Sequence, residues 1–157
     1  MEIHENNKEH LNDFIKLNEE WISKYFSLEE ADEKLAANPY RVIENNGYIF
    51  SLAEENQVIG VCALFNEGNG VFEIARMAVS PAHQGKGLGN TLIQTCISKA
   101  VKINAKKIYL VSNTKLQAAI GLYKKHGFVT VQTGQHPVYS RANIIMELKS
   151  TQLIDSV

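Results

Sequence analysis

With 157 residues, 45% of them apolar and 21% charged, the chain is sized for one soluble globular domain with a substantial core and is too short for two. No stretch reaches the apolar length of a membrane span, and residues 1–10 are polar and acidic with no apolar signal core; no membrane partner is expected, and the expected location is cytoplasmic. The formal net charge of −1 is unevenly spread, ten Asp/Glu against four Lys/Arg in residues 1–37 and seven against twelve in 38–157, and no Lys/Arg cluster marks nucleic acid as a partner.

Leu11, Phe14, Ile15, Asn18, Trp21, Ile22 and Tyr25 fall on one side of a helix, which predicts a first amphipathic helix. A shorter helix is expected over residues 28–37, with Ser27 as N-cap, Glu29 and Glu30 in its first turn, and Pro39 closing the helical region. After Gly47 the pattern becomes strand-like: 48–53 and 58–65 flank a polar turn, and residues 66–70 turn into a third apolar run, 71–79, ended by Pro81. Leu88, Leu92, Ile93, Cys96, Ile97, Ala100 and Val101 restore the helical period. A strand over 107–111, a helix over 116–125 with Gly127 at a left-handed cap, and strands over 128–132 and 144–148 complete the reading. The fold class is therefore α/β (α+β): a mixed central sheet of six to seven strands flanked by about four helices. A single domain is expected over residues 1–149, followed by a C-terminal tail, 150–157.

Cys62 and Cys96 sit in apolar runs, where a small buried hydrophobe is the natural role, and the five histidines are scattered without ligand spacing. No metal is expected.

The most informative segment is Gln84-Gly85-Lys86-Gly87-Leu88-Gly89-Asn90, which joins a strand to a long helix. Glycines at 85, 87 and 89 let backbone N–H groups converge on one point, and the helix N-terminus adds free donors and the positive end of its dipole. That combination suits a diphosphate. The G-x-x-x-x-G-K-[ST] and G-x-G-x-x-G spacings are absent, which disfavours a P-loop or dinucleotide enzyme. A tight turn with no ligand remains the alternative.

The segment resembles the pyrophosphate loop of the GNAT superfamily of acyl-CoA-dependent N-acyltransferases, Q/R-x-x-G-x-G/A. Arg76-Met77-Ala78-Val79-Ser80-Pro81 is similar to the strand before that loop, and Gly121-Leu122-Tyr123-Lys124-Lys125-His126-Gly127-Phe128 to the family's Leu-Tyr-x-x-x-Gly-Phe helix end. The element order over about residues 1–148 is also the family's.

The resemblance implies acetyl-CoA as co-substrate and a pantetheine arm lying where the strands at 71–79 and 107–111 splay apart. It assigns cofactor contacts to Met77, Ala78, Val79, Gln84, Gly85, Lys86, Gly87, Leu88, Gly89 and Asn90, with the Met77 N–H directed at the acetyl oxygen. Tyr123 matches the tyrosine that protonates the departing thiolate, the alternative being a tyrosine that packs the Leu116/Ala119/Ile120 face of its helix. Many relatives have Asn seven residues before that tyrosine; Leu116 stands here, and Asn113 is the substitute on offer.

Glu73 is a carboxylate in an apolar strand, expected by alternation on the face of Val71, Ala75, Met77 and Val79. It has the spacing from Gln84 of the family's general-base glutamate, and a carboxylate paired with Lys or Arg at a sheet edge is the alternative.

Tyr139 and Arg141 are candidates to hold a polar group of the acceptor, with Trp21 and Tyr25 on the opposite wall; a solvated loop is the alternative for the first pair. The implied function is N-acetylation of a primary amine, with a small molecule favoured as acceptor. A protein acetyltransferase and a catalytically silent acyl-CoA-binding module are the rival readings, and the sequence leaves room for a homodimer.

Overall fold

The structure, a computed structural model, describes residues 1–149; the expected tail, 150–157, lies outside the described residues. Seven strands form one sheet: β1 (Glu2–Glu5), β2 (Tyr48–Glu54), β3 (Gln57–Gly68), β4 (Val71–Val79), β5 (Lys107–Ser112), β6 (Val129–Thr133) and β7 (Ile144–Lys149), in the order β1-β2-β3-β4-β5-β7-β6. Every neighbouring pair is antiparallel except β4 and β5. The helices are α1 (Leu11–Tyr25), α2 (Glu30–Ala37), α3 (Arg41–Glu44), α4 (Leu88–Lys102) and α5 (Gln117–Lys125). None of them is long and apolar enough to cross a membrane.

Strand alternation gives the sheet two apolar faces, and each is covered by helices. On one face Phe50, Leu52, Leu64, Ile74, Ile108 and Met146 pack against Leu92, Ile93, Cys96 and Ile97 of α4. On the other, Ile49, Val61, Ala63 and Ala78 meet Leu11 and Phe14 of α1 and Val42 of α3. Each such Leu, Ile or Phe, once fully buried, contributes on the order of 2 kcal/mol of transfer free energy.

The sequence expectations need four corrections. The helix expected over 28–37 begins at Glu30, because the Asp32 carboxylate accepts the Glu29 N–H at 2.8 Å and fixes the helix start there rather than at Ser27. A short helix, α3, follows Pro39, where the helical region was expected to close; with it the described residues hold five α-helices, in keeping with about four. Strand β1 was not expected: Glu-Ile-His-Glu is polar, and all four residues are exposed or half-buried at the sheet edge.

The fourth correction bears on function. Arg76 adopts a left-handed φ of 60°, and the pairing of β3 with β4 slips between Val61–Ala78 and Ala63–Ala75, so that Arg76 and Met77 share the space opposite Cys62. This is a β-bulge, and it shifts the alternation by one residue. Glu73 and Ala75 consequently share the α1 face with Ala78, whereas Phe72, Ile74, Met77 and Val79 face α4. Glu73 does not share a face with Met77 and Val79.

Candidate active site

The parallel pairing of β4 with β5 covers Val71, Phe72 and Glu73 against Lys107, Ile108 and Tyr109 and then stops. Beyond Glu73 no described strand pairs with the β5-facing edge of β4. A cleft of about 240 Å³ lies there, bordered by Met77, Ala78 and Val79 on β4 and by Leu110, Val111 and Ser112 on β5. The expected splay is present, and its backbone groups are available to an extended ligand.

Gln84 also lines the cleft, and the glycine segment follows it directly. Gly85 and Gly87 have φ values of 78° and 80°, conformations that favour glycine, and nothing in the protein lies within 4 Å of where a Cβ would stand on either. Gly87 is the N-cap of α4, whose first turn carries no acidic side chain and no side-chain cap. The N–H groups of Leu88, Gly89 and Asn90 are therefore the free donors of a helix start. Lys86 is exposed beside them. Asn90 Oδ1 lies 2.7 Å from His126 Nε2, which ties the first turn of α4 to the end of α5.

Tyr123 projects from α5 into the cleft beside Leu116 and Ala119, the face proposed for mere packing. Its ring meets Phe128 edge-on, with centroids 6.3 Å apart. Burial, and secondarily the charge that Cys62 would carry, push its phenol well above the ordinary tyrosine value. It stays protonated across the physiological range.

Glu73 also borders the cleft. Burial, followed by the neighbouring Glu67 carboxylate, pushes its pKa up to about 7, against the opposing charge of Arg76 and a hydrogen bond from Tyr109. Tyr109 is its cross-strand partner on β5. A carboxylate poised near neutrality can take up or release a proton at physiological pH.

The far wall comes from α1 and from the loop between β6 and β7. Trp21, Tyr139 and Arg141 all border the cleft; Tyr25 does not, being 47% exposed and packed on the outer side of Trp21 at 5.3 Å. Arg141 forks onto Asp32, Nη1 to Oδ2 and Nη2 to Oδ1 at 2.7 Å each, and also reaches Glu29 at 3.2 Å. Arg76 pairs with the same Asp32 and donates to Tyr139 Oη at 2.5 Å. The Asp32 side chain is only 2% exposed. Burial alone would raise its carboxyl, but the Arg141 hydrogen bonds, the Glu29 N–H and the two guanidinium charges hold it below its ordinary value. Two arginines thus face two acids, and the Arg141 charge is already met within the protein. Asn113 borders the cleft with its amide engaged as well, donating to the Arg141 carbonyl at 2.8 Å and accepting the Lys115 N–H at 2.9 Å.

Asp32, Arg76, Glu67 and Tyr109 are the residues that sequence reasoning missed. Arg76 alone carried a usable signal, an arginine in a strand that is apolar apart from it and Glu73. Among the described residues no group of three or more His, Cys, Asp or Glu could hold a metal.

Comparison with known proteins agrees with this geometry. The acetyltransferase (GNAT) family matches residues 14–128. The uncharacterised N-acetyltransferase YjgM of Escherichia coli K12 is 30% identical over 93 residues, 57% of this chain and 56% of that protein, so the match spans about half the length of that relative. A GNAT-family acetyltransferase from Staphylococcus aureus superposes with a TM-score of 0.83 at 17% identity, covering 95% of this chain and 98% of the other. Spermidine N-acetyltransferase from Vibrio cholerae, solved with CoA and spermine, superposes with a TM-score of 0.75 at 22% identity, covering 98% and 97%. The chain belongs to the acetyltransferase (GNAT) family.

Proposed function

We propose that this chain transfers the acetyl group of acetyl-CoA to the primary amine of a small molecule, by direct attack in a ternary complex. The observation that carries the reading is the parting of β4 from β5 immediately after the Glu73–Tyr109 pair, with Glu73 and Tyr123 both bordering the gap.

In this reading the Gly85–Gly87 turn and the free donors of α4 hold the diphosphate, and the unpaired edge of β4 at Met77 and Val79 receives the pantetheine amides as an added strand would. The amine loses its proton to Glu73, directly or through water, and its nitrogen bonds to the thioester carbonyl carbon. The Met77 N–H stabilises the oxyanion that forms. As the C–S bond breaks, the electron pair leaves on sulfur, Tyr123 supplies the proton that makes it a thiol, and the tyrosinate is reprotonated by the second proton that the acylated nitrogen releases. The raised pKa of Glu73 suits a base that works near neutral pH, and the protonated phenol of Tyr123 suits an acid.

The modest size of the cleft, about 240 Å³, and its wall of Trp21, Arg76 and Tyr139 favour a small acceptor over a protein side chain. That the Vibrio cholerae neighbour is a spermidine N-acetyltransferase is consistent with an amine acceptor. Because the charges of Arg76 and Arg141 are met by Asp32 and Glu29, an anionic group on the acceptor has no free arginine in the cleft to bind.

The test is release of free thiol from acetyl-CoA in the presence of a panel of small amines, amino acids and lysine peptides. Thiol release with small amines above the rate of hydrolysis supports the reading. Release with peptides alone moves the acceptor to protein, and tight acetyl-CoA binding without release under any condition leaves a binding module.

A further inference from the structure

A second cavity, of about 350 Å³, adjoins the cleft on the side of α2 and α3. Its lining includes Leu35, Val42, Phe65 and Glu67. Among the described residues just two border both spaces: Arg76 and Tyr139. They are hydrogen-bonded to each other, and the Arg76 guanidinium lies 5.3 Å from the centroid of the Tyr139 ring. Arg141 flanks the same ring at 4.7 Å. Both guanidiniums are anchored on the buried Asp32.

This wall is built rather than incidental. The bulge that gives Arg76 its left-handed φ brings its side chain to Asp32 and Tyr139, and the Arg76 side chain is only 8% exposed. Swinging Arg76 outward would part its buried guanidinium from Asp32, so the wall does not swing aside cheaply. On the cleft side stands Glu73; on the other stands Glu67, whose carboxylate comes close enough to help raise that of Glu73.

We propose that the Arg76–Tyr139 pair is the specificity-determining partition of the acceptor site. Resting on the transfer reading above, it confines the acceptor to a compact amine whose chain ends within the cleft. Removal of the Tyr139 ring joins the two spaces and admits an elongated amine, with a second ammonium group beside Glu67.

The experiment measures affinity for α,ω-diamines of increasing length, by calorimetry on protein saturated with CoA. In the wild type, affinity stops rising once the chain meets the wall. In Tyr139→Ala it continues to rise, by about fourfold for each further methylene buried. Adding Leu35→Trp to Tyr139→Ala refills the second cavity and restores the wild-type limit. Leu35→Trp alone leaves the wild-type profile unchanged.

Superimposable profiles for wild type and Tyr139→Ala overturn the partition, as does a shortened limit in Leu35→Trp alone, which means that the second cavity is already reached. The readout is binding, so the two readings fail separately. Absence of thiol release with every amine sinks the transfer reading while the length profiles still decide the partition.

Discussion

Glu73 and Met77 lie on opposite faces of β4, because Arg76 interrupts the alternation between them with a φ of 60°. Both nevertheless border the same cleft, which opens where β4 leaves β5. The bulge thus supplies a carboxylate from the α1 side and a run of unpaired backbone at the parted edge. An uninterrupted strand would have put Glu73 and Met77 on one side and left the cleft with a single chemistry.

The first prediction concerns the proton balance at Glu73. With its pKa near 7, the activity of the wild type should rise as pH increases through about 7, and Glu73→Gln should abolish that limb along with most of the turnover. Stability runs the other way. The native state holds this proton more tightly than the unfolded chain, whose value is close to 4.5, so the stabilisation is complete below about pH 4.5 and is lost as pH rises to about 7. Unfolding of wild type should show a loss on the order of 1–2 kcal/mol across that window after screening, and Glu73→Gln should not.

Tyr123→Phe removes the proton donor and leaves the ring against Phe128. Turnover should fall at least about 100-fold, while the affinity for acetyl-CoA changes little. Steady-state kinetics paired with equilibrium binding separates the two quantities. Unchanged turnover would return Tyr123 to the packing role.

Asp32→Asn leaves Arg76 and Arg141 buried without their shared anion. Urea unfolding at pH 7 should show a loss of about 3–5 kcal/mol. Because the Asp32 carboxyl sits below its ordinary 3.8 in the fold, its contribution is present above that value and vanishes as pH falls through the folded value, so the deficit of the variant should shrink toward strong acid. The exposed Lys34–Glu30 pair on the same helix is a control, and Glu30→Gln should be nearly silent.

Gly87→Ala places a methyl group at the N-cap of α4, where φ is 80°. No protein atom is in its way, so the folding cost is that of the left-handed backbone alone, about 1 kcal/mol. The larger effect should fall on ligand: affinity for CoA drops about tenfold or more, while binding of pantetheine, which has no diphosphate, is unchanged. Calorimetry with the two ligands makes the comparison.

The strands, the long helices and the glycine turn were legible because each is written in local periodicity. Leu92, Ile93, Cys96 and Ile97 mark the buried side of α4 with no knowledge of what covers it. Tyr123 and Gln84 were legible through resemblance, since their neighbours in sequence fix their place. What the sequence concealed was non-local or a matter of backbone. Nothing in Glu73-Ile74-Ala75-Arg76-Met77 announces a bulge, and the partners that Arg76 meets there, Asp32 and Tyr139, lie 44 and 63 residues away. Arg141 read as a free cation because Asp32, 109 residues distant, is invisible from its loop. Strand β1 escaped because a polar edge strand has no apolar alternation to show.

Hydrogen exchange of the backbone amides with and without acetyl-CoA tests the central claim most directly. If the parted edge of β4 and the glycine turn receive the co-substrate, the amides of Met77 and Val79 and those of residues 85–90 should slow together on binding, and the paired segment Val71 to Glu73 should barely change. Binding that leaves residues 77, 79 and 85–90 exchanging as before would contradict the account.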